Sequence, residues 1–186
     1  MKIILASGSP RRRELLSIIG LDFEVIPSEN DEIVPAGLTP AQTVEFLARS
    51  KAEDVGKKVP DGDRIILAAD TIVYMDGKIL GKPADAADAC RMLRELSGRT
   101  HEVYTGVCIN GECDHVKTEV TFRELGDEEI EAYVATGEPL DKAGAYGAQG
   151  KGALLVEKIN GDFFNVMGLP ISRVCQMLKS QGVKVI

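Results

Sequence analysis

Apolar and polar positions form blocks along the chain that predict an α/β protein. Consecutive apolar residues predict buried strands at KIILAS, FEVIPS and RIILAADTIVYM. Apolar residues at helical spacing predict amphipathic helices at PRRRELLSIIG, TPAQTVEFLARSKAEDVGKK and DAADACRMLRELSG. Because helices and strands alternate early and hairpins follow, we expect a mixed sheet with flanking helices rather than a purely parallel one.

Local start, stop and turn signals divide these blocks. Ser9 and Thr39 each precede a proline and predict helix N-caps. Hairpin turns are predicted about Asp76-Gly77 and Asn110-Gly111. We further expect a helix capped by Asp127, a strand at ALLVEKI, and a last helix that starts after MGLP and ends near Gly182.

Composition narrows the class of protein. The 186 residues suit one domain or two closely packed lobes, and 44% hydrophobic with 27% charged residues is ordinary for a globular protein. A net charge of -7 and 5% aromatic residues argue against nucleic-acid binding. We expect no membrane span, no signal peptide and a cytoplasmic location. Four scattered cysteines favour reduced thiols over a disulfide framework.

Charge is distributed unevenly at the amino-terminal end. Residues 1 to 13 carry four basic groups and no acidic side chain, whereas residues 14 to 48 carry seven acids and no lysine or arginine. Cations beside carboxylates suit a small phosphorylated ligand that binds with a divalent metal. The alternative is a solvated surface with patchy charge.

The stretch LASGSPRRREL places three arginines in the first turn of a predicted helix. The helix dipole disfavours cations at that position, so Arg11, Arg12 and Arg13 indicate an anion bound at the helix start. Successive helical side chains lie about 100° apart, so we expect one or two of the three to face the ligand. The motif lacks the spacing of a P-loop.

Asp70 ends the apolar part of a predicted strand, a common place for catalytic or metal-binding carboxylates. A turn or capping role is the alternative. Glu32 is the leading candidate to share a metal ion with it. Lys51 on a helix and Lys82 in a loop could neutralise phosphates, although each could equally be a solvated lysine.

The stretch GEPLDKAGAYGAQGKGA is rich in glycine and polar residues. Glycines permit close approach to a ligand, and the Gln149 amide could read a base edge; the alternative is a hairpin loop. We expect His101 to be a structural hydrogen-bonding residue. Zinc at Cys108, Cys113 and His115 is improbable, because these residues lie on a predicted hairpin without a paired CxxC motif.

Taken in order, LASGSPRRREL, ARSKA, AADT, GKP, SGRTHEVYTG, GEPLDKAGAYGAQG and INGDFFNVMGLP resemble the Maf family of nucleoside triphosphate pyrophosphatases across essentially the whole chain. The resemblance implies hydrolysis of a nucleoside triphosphate to the monophosphate and pyrophosphate with Mg²⁺ or Mn²⁺. It also implies an elongated fold like that of inosine triphosphate pyrophosphatases, formed by residues 1–186 as one domain with a cleft between two lobes. A homodimer is implied as well.

The resemblance also assigns roles to residues. It implies that Asp70 is the general base, and that Arg11, Thr71 and Gln149 mark the subgroup that acts on dTTP and UTP. We expect Asp70 and Glu32 to hold the metal. The expected phosphate contacts are Ser7, Ser9, Arg12, Lys51 and Lys82. Arg11 could face the base or the phosphates, and Arg13 is expected to take no part. The alternative function is a non-catalytic regulator of septum formation that acts by protein contact.

Overall fold

A computed structural model describes residues 2–30, 33–60 and 62–185. Its strands and α-helices follow one another along the chain as β1 (Lys2–Leu5), α1 (Pro10–Ile18), β2 (Phe23–Val25), α2 (Pro40–Lys58), β3 (Arg64–Met75), β4 (Lys78–Leu80), α3 (Ala86–Leu96), β5 (Thr100–Ile109), β6 (Glu112–Phe122), α4 (Asp127–Val134), β7 (Val156–Asn160), α5 (Phe163–Met167) and α6 (Ile171–Ser180). Short 3-10 helices lie at Glu138–Asp141, Ala143–Ala145 and Gly150–Leu155.

The strands form one mixed sheet in the order β2-β1-β3-β5-β6-β7, with β4 paired to β3. β1 is parallel to β2 and to β3, whereas β4 is antiparallel to β3 and β7 is antiparallel to β6. The predicted α/β class with a mixed sheet and helices is therefore confirmed. None of the helices in the described ranges is long and apolar enough to cross a membrane.

Two compact units share this chain. The first comprises residues 1–70, 105–116 and 168–186, and the second comprises residues 71–104 and 117–167. In the first unit, the side of β1 and β3 that carries Ile4 and Ile66 packs against Ala48, Ala52 and Val55 of α2. The larger core of the second unit packs α3 and α4 around Phe122. One domain with a cleft between two lobes stays a prediction.

Local signals placed most element boundaries correctly. The side chain of Ser9 accepts a hydrogen bond at the start of α1, and Thr39 forms a capping box with Gln42 at the start of α2. Both predicted hairpin turns have two consecutive residues with positive φ, which asparagine, aspartate and glycine tolerate best: 51° and 79° at 76–77, and 48° and 87° at 110–111.

Three features of the secondary structure differ from what the sequence predicts. Asp127 is the first residue of α4 rather than its cap, and the N-cap is Gly126. The predicted strand at ALLVEKI begins only at Val156, because the preceding residues form a 3-10 helix. The short helix α5 was not predicted, although Asp162 signals its start by accepting hydrogen bonds from the N–H groups of Phe164 and Asn165.

The expectation of reduced thiols is wrong for one pair of cysteines. Cys108 and Cys113 form a disulfide, with their Cα atoms 4.1 Å apart. The turn at Asn110-Gly111 brings these positions opposite each other on β5 and β6, which the number and scatter of cysteines do not reveal. Cys90 and Cys175 are free thiols.

Candidate functional site

The turn between β1 and α1 is organised around the hydroxyl of Ser7. This buried side chain accepts hydrogen bonds from the backbone N–H of Ser9 at 3.3 Å and from Nη1 of Arg12 at 3.4 Å. Ser9 in turn caps α1 by accepting the N–H of Arg12 at 3.5 Å. The predicted phosphate contacts Ser7, Ser9 and Arg12 are thus held together at the start of a helix, where N–H groups and the dipole attract anions.

The three arginines of this turn have different environments. Arg12 is half-buried, and its Nε donates to the carbonyl of Gly168 at 2.8 Å, a residue 156 positions away. Arg11 is also half-buried, whereas Arg13 is exposed. The Gly168 contact fixes the guanidinium of Arg12 from outside the helix, which the spacing of the arginines alone did not reveal.

Asp70 forms an ion pair with Lys51 in the same unit. Nζ of Lys51 lies 2.5 Å from Oδ1 of Asp70, and the two side chains are only 16% and 9% exposed. β1 and β3 run parallel with Leu5 opposite Leu67, so Ser7 and Asp70 follow at the same end of these strands. The first unit therefore contains a carboxylate, an ammonium, a guanidinium and hydroxyl groups, a set of groups that suits a phosphorylated ligand.

Helix α2 makes two further contacts that sequence reasoning missed. The nearest neighbour of a Cβ at Gly106 would be the carbonyl oxygen of Val44, at 2.3 Å, so only glycine lets α2 approach β5 so closely. One residue further, Glu45 binds Nδ1 of His115 through Oε1 at 2.7 Å. A glycine in the middle of a strand often marks the close approach of another backbone, so Gly106 is the sequence signal that could have predicted this contact.

Glu45, Asp114 and His115 form a group that could hold a metal ion, with one ligand atom from each within 4.8 Å of the others. A carboxylate of this group is already engaged, because Oδ2 of Asp114 accepts from the guanidinium of Arg173. Cys108 and Cys113 are bonded to each other and so supply no thiolate ligands. His115 therefore has carboxylate neighbours rather than the cysteines considered from sequence.

The predicted metal ligand Glu32 lies outside the described residues. The segment that precedes it is attached to α2: Asp54 accepts hydrogen bonds from the hydroxyl of Ser28 and the N–H of Glu29, each at 2.9 Å. Nδ2 of Asn30 donates to the hydroxyl of Ser50 at 2.6 Å. Ser50 is adjacent to Lys51. Asn30, the last residue of the described range 2–30, is therefore held on the turn of α2 that carries the ion pair with Asp70.

The second unit contains the other predicted site residues. Thr71 follows Asp70 on β3 and is half-buried, and Lys82 is exposed in the loop after β4. Gln149 is half-buried in the glycine loop, the name used here for residues 137–152. The loop after β4 meets the glycine loop directly, because Gly144 donates its N–H to the carbonyl of Gly81 at 3.0 Å.

His101 is a buried structural residue, as predicted. Its Nε2 lies 2.7 Å from the hydroxyl of Tyr146, and its ring packs edge-to-face on Phe122. Burial lowers the pKa of His101 to about 4, so the imidazole is neutral near pH 7. The side chain is 1% exposed, which removes it from contact with solvent.

The fold and this arrangement define an α/β protein with a cationic, hydroxyl-bearing helix start and a lysine-paired carboxylate at the same end of neighbouring parallel strands. Comparison with known proteins identifies the family. The model of the Maf family, described as Maf-like protein, matches residues 2–181, and the chain belongs to this family.

Named relatives match nearly the whole chain. A dTTP/UTP pyrophosphatase of Moorella thermoacetica is 55% identical over 191 residues, which cover 99% of this chain and 97% of the relative. A protein of the same name from Bacillus cereus is 53% identical over 188 residues, with 99% and 97% covered.

Solved structures of low sequence identity share the fold. The Ham1 protein of Staphylococcus aureus aligns with a TM-score of 0.54 at 17% identity, over 97% of this chain and 100% of that one. A HAM1 protein of Coxiella burnetii aligns with a TM-score of 0.51 at 18% identity, over 97% and 99%. These alignments confirm the predicted α/β fold class and show that the chain shares its fold with the two Ham1 proteins.

Proposed function

We propose that the protein hydrolyses dTTP and UTP to the nucleoside monophosphate and pyrophosphate. The observation that carries this proposal is the identity of 55% and 53%, over nearly the full length, to relatives named dTTP/UTP pyrophosphatase. Because these relatives are named as enzymes, the comparison favours catalysis over a non-catalytic role in septum formation. The ion pair of Asp70 and the anchored Arg12 supply chemistry that suits this reaction.

Asp70 is proposed as the general base. Its carboxylate accepts a proton from a water molecule while the water oxygen bonds to the α-phosphorus, and the bond from that phosphorus to the bridging oxygen breaks to release pyrophosphate. Lys51 holds the carboxylate in place through the 2.5 Å contact. An ion pair with so little exposure restricts the rotamers of both partners, which favours a fixed geometry for proton transfer.

The phosphates are proposed to bind at the start of α1. Arg12, Ser7 and Ser9 are already joined by hydrogen bonds there, so little side-chain entropy remains to be lost when the anion arrives. Lys51 and Lys82 add positive charge. Cations and N–H groups aimed at the triphosphate stabilise negative charge that develops on the leaving pyrophosphate.

Asp70 and Glu32 are proposed to hold a divalent cation, Mg²⁺ or Mn²⁺. Carboxylate oxygens are the hard donors that these ions prefer. When bound, the cation would neutralise part of the negative charge of the substrate's phosphates.

Arg11, Thr71 and Gln149 are proposed to select the pyrimidine base. The amide of Gln149 offers both a donor and an acceptor, and the hydroxyl of Thr71 offers either. Arg11 is half-buried rather than fully solvated, which suits a ligand contact. A homodimer and a cytoplasmic location stay predictions.

Asp70→Asn tests the catalytic step. With UTP and Mg²⁺, we expect pyrophosphate release to fall roughly a hundred- to ten-thousandfold, the contribution of a general base. The matched control is Asp22→Asn at an exposed position, which we expect to leave turnover unchanged. A urea denaturation curve for each variant checks the fold. Unchanged turnover in a folded Asp70→Asn protein would remove Asp70 from this role, and no release from dTTP or UTP by the unsubstituted protein would overturn the proposed function.

A further inference from the structure

The carboxylate of Glu138 closes the glycine loop. Its Oε1 accepts the backbone N–H of Gly152 at 3.0 Å, and its Oε2 accepts the N–H of Lys151 at 3.1 Å. These contacts span 13 and 14 residues of chain. One side chain at the beginning of the loop therefore holds the backbone at its end, where the N–H groups would otherwise lack a helix or strand partner.

Tyr133 extends this contact to the middle of the loop. Its hydroxyl donates to Oε1 of Glu138 at 3.0 Å and accepts the N–H of Gly147 at 3.3 Å. Tyr133 belongs to α4 and is only 5% exposed. The loop is thereby attached to a helix of the second unit's core rather than only to itself.

Two glycines of the loop, Gly150 and Gly152, are required by these contacts. A Cβ at Gly152 would lie 2.1 Å from the carbonyl oxygen of Gly147 and 2.6 Å from the hydroxyl of Tyr133. A Cβ at Gly150 would lie 2.9 Å from Oε2 of Glu138, and its φ of 66° is in the left-handed region. At these two positions glycine serves the internal closure of the loop; close approach to a ligand, which the sequence suggested, stays a prediction.

Gln149 lies between the two anchored segments. Gly147 on one side is held by Tyr133, and Lys151 on the other side is held by Glu138. We propose that Glu138, together with Tyr133, is a positioning residue that fixes the Gln149 amide for recognition of the pyrimidine base. This inference rests on the proposed function, because it assigns Glu138 to the base-selecting part of that reaction.

The carboxylate of Glu138 acts within the loop rather than on the substrate. Both of its oxygens already accept hydrogen bonds. Burial by itself would raise the pKa of Glu138, but the hydrogen bonds from Gly152, Lys151 and Tyr133, together with the positive charge of Lys142, lower the pKa below its ordinary value. The group is therefore an anion at neutral pH, which suits backbone N–H donors and would repel a triphosphate.

Glu138→Gln is the first test, with kcat and KM measured separately for UTP and CTP. An amide presents one acceptor oxygen where the carboxylate has two, so one loop anchor is lost. We expect the UTP-to-CTP ratio of kcat/KM to fall roughly tenfold, as expected for one misplaced hydrogen bond, mainly through KM for UTP. Glu128→Gln, an exposed carboxylate on α4, is the matched control and should change nothing.

Tyr133→Phe keeps the ring and removes the hydroxyl, so it tests the same network if Glu138→Gln does not fold. Hydrogen exchange of residues 147–152 should quicken in either variant, because their N–H partners are lost. Combined with Gln149→Ala, Glu138→Gln should cause little further loss of discrimination, because both act on one contact.

Absence of UTP hydrolysis by the unsubstituted protein overturns the proposed function and this inference with it. UTP hydrolysis with an unchanged UTP-to-CTP ratio in folded Glu138→Gln and Tyr133→Phe overturns the inference alone. Equal loss of kcat for both nucleotides would also overturn it, since that result indicates a general structural role.

Discussion

The Lys51–Asp70 pair and the glycine loop are held in place by opposite means. Lys51 lies on a capped helix of 19 residues and Asp70 on a strand of 12, so regular structure carries both side chains to their meeting point. The glycine loop contains only short 3-10 turns, and the side chains of Glu138 and Tyr133 hold its backbone. The geometry of the proposed catalytic pair thus depends on how elements pack, whereas that of the proposed base-selecting loop depends on a few side-chain hydrogen bonds.

Because the two regions are held differently, we expect substitutions in them to change the stability of the protein to different extents. A change beneath α2 should disturb the whole first unit, because a packed helix moves as a body. A change in the hydrogen bonds of the glycine loop should act locally, since neighbouring loop anchors remain. Three variants test the two regions and are given from the largest expected effect on stability to the smallest. Gly106→Ala and Thr39→Ala change the packing and the cap of α2, and His101→Gln changes a contact of the glycine loop.

Gly106→Ala should have the largest effect. The new Cβ would lie 2.3 Å from the carbonyl oxygen and 2.4 Å from the carbonyl carbon of Val44, so α2 must move. We expect a loss of about 3 kcal/mol in the free energy of unfolding, measured by urea denaturation. Turnover should fall because α2 carries Lys51, while the UTP-to-CTP preference should persist.

Gly56→Ala is the matched control on the same helix. Its Cβ would meet only the Cδ1 atom of Ile66 at 3.6 Å, an ordinary contact. Because alanine is the better helix former, we expect a gain of about 0.5–1 kcal/mol. A Gly106→Ala protein as stable as the parent would refute the packing argument for the first region.

Acid should weaken the second unit through His101. The pKa of this histidine is about 4 in the folded protein against an ordinary value of 6.5, so the unfolded chain binds the proton more tightly. Stability is therefore fully present above the unfolded pKa and is lost as the pH falls below it, by about 2 kcal/mol between pH 7 and pH 5.

His101→Gln, which does not titrate, should flatten that part of the stability-versus-pH curve. The comparison is of urea unfolding at pH 7 and pH 5 for both proteins. His101 also contacts Tyr146 of the glycine loop, so the protection of the loop amides against hydrogen exchange, corrected for the slower intrinsic exchange in acid, should decrease in the parent protein at pH 5. An identical slope in the two proteins would exclude His101 as the source.

Thr39→Ala should have the smallest effect of the three. The Thr39 hydroxyl accepts the N–H of Gln42 at 3.2 Å, and the Gln42 side chain accepts the N–H of Thr39 at 3.0 Å. Loss of this cap should cost about 1 kcal/mol, measured by urea denaturation at pH 7. Thr39→Ser retains the hydroxyl and should restore most of the stability; if it does not, the cap is not the cause.

Elements were more predictable than contacts. The caps at Ser9 and Thr39 and the turns at Asp76-Gly77 and Asn110-Gly111 are encoded within a few residues, and the structure confirms them. Asp70 stood out because a charged residue follows a run of apolar ones in a strand. The carboxylate was thus found from sequence, but its ion pair with Lys51 was not.

The sequence by itself determined the mixed α/β class, the helix caps at Ser9 and Thr39 and the two hairpin turns, and it offered candidate residues for phosphate and metal. Only the tertiary structure decided that Lys51 meets Asp70, that Gly106 lies under Val44 and that Cys108 bonds to Cys113. The closure of the glycine loop by Glu138 was likewise decided only by the tertiary structure. The physical reason is range: capping and turn preferences act over a few neighbouring residues, whereas these contacts exist only after helices, strands and loops have packed.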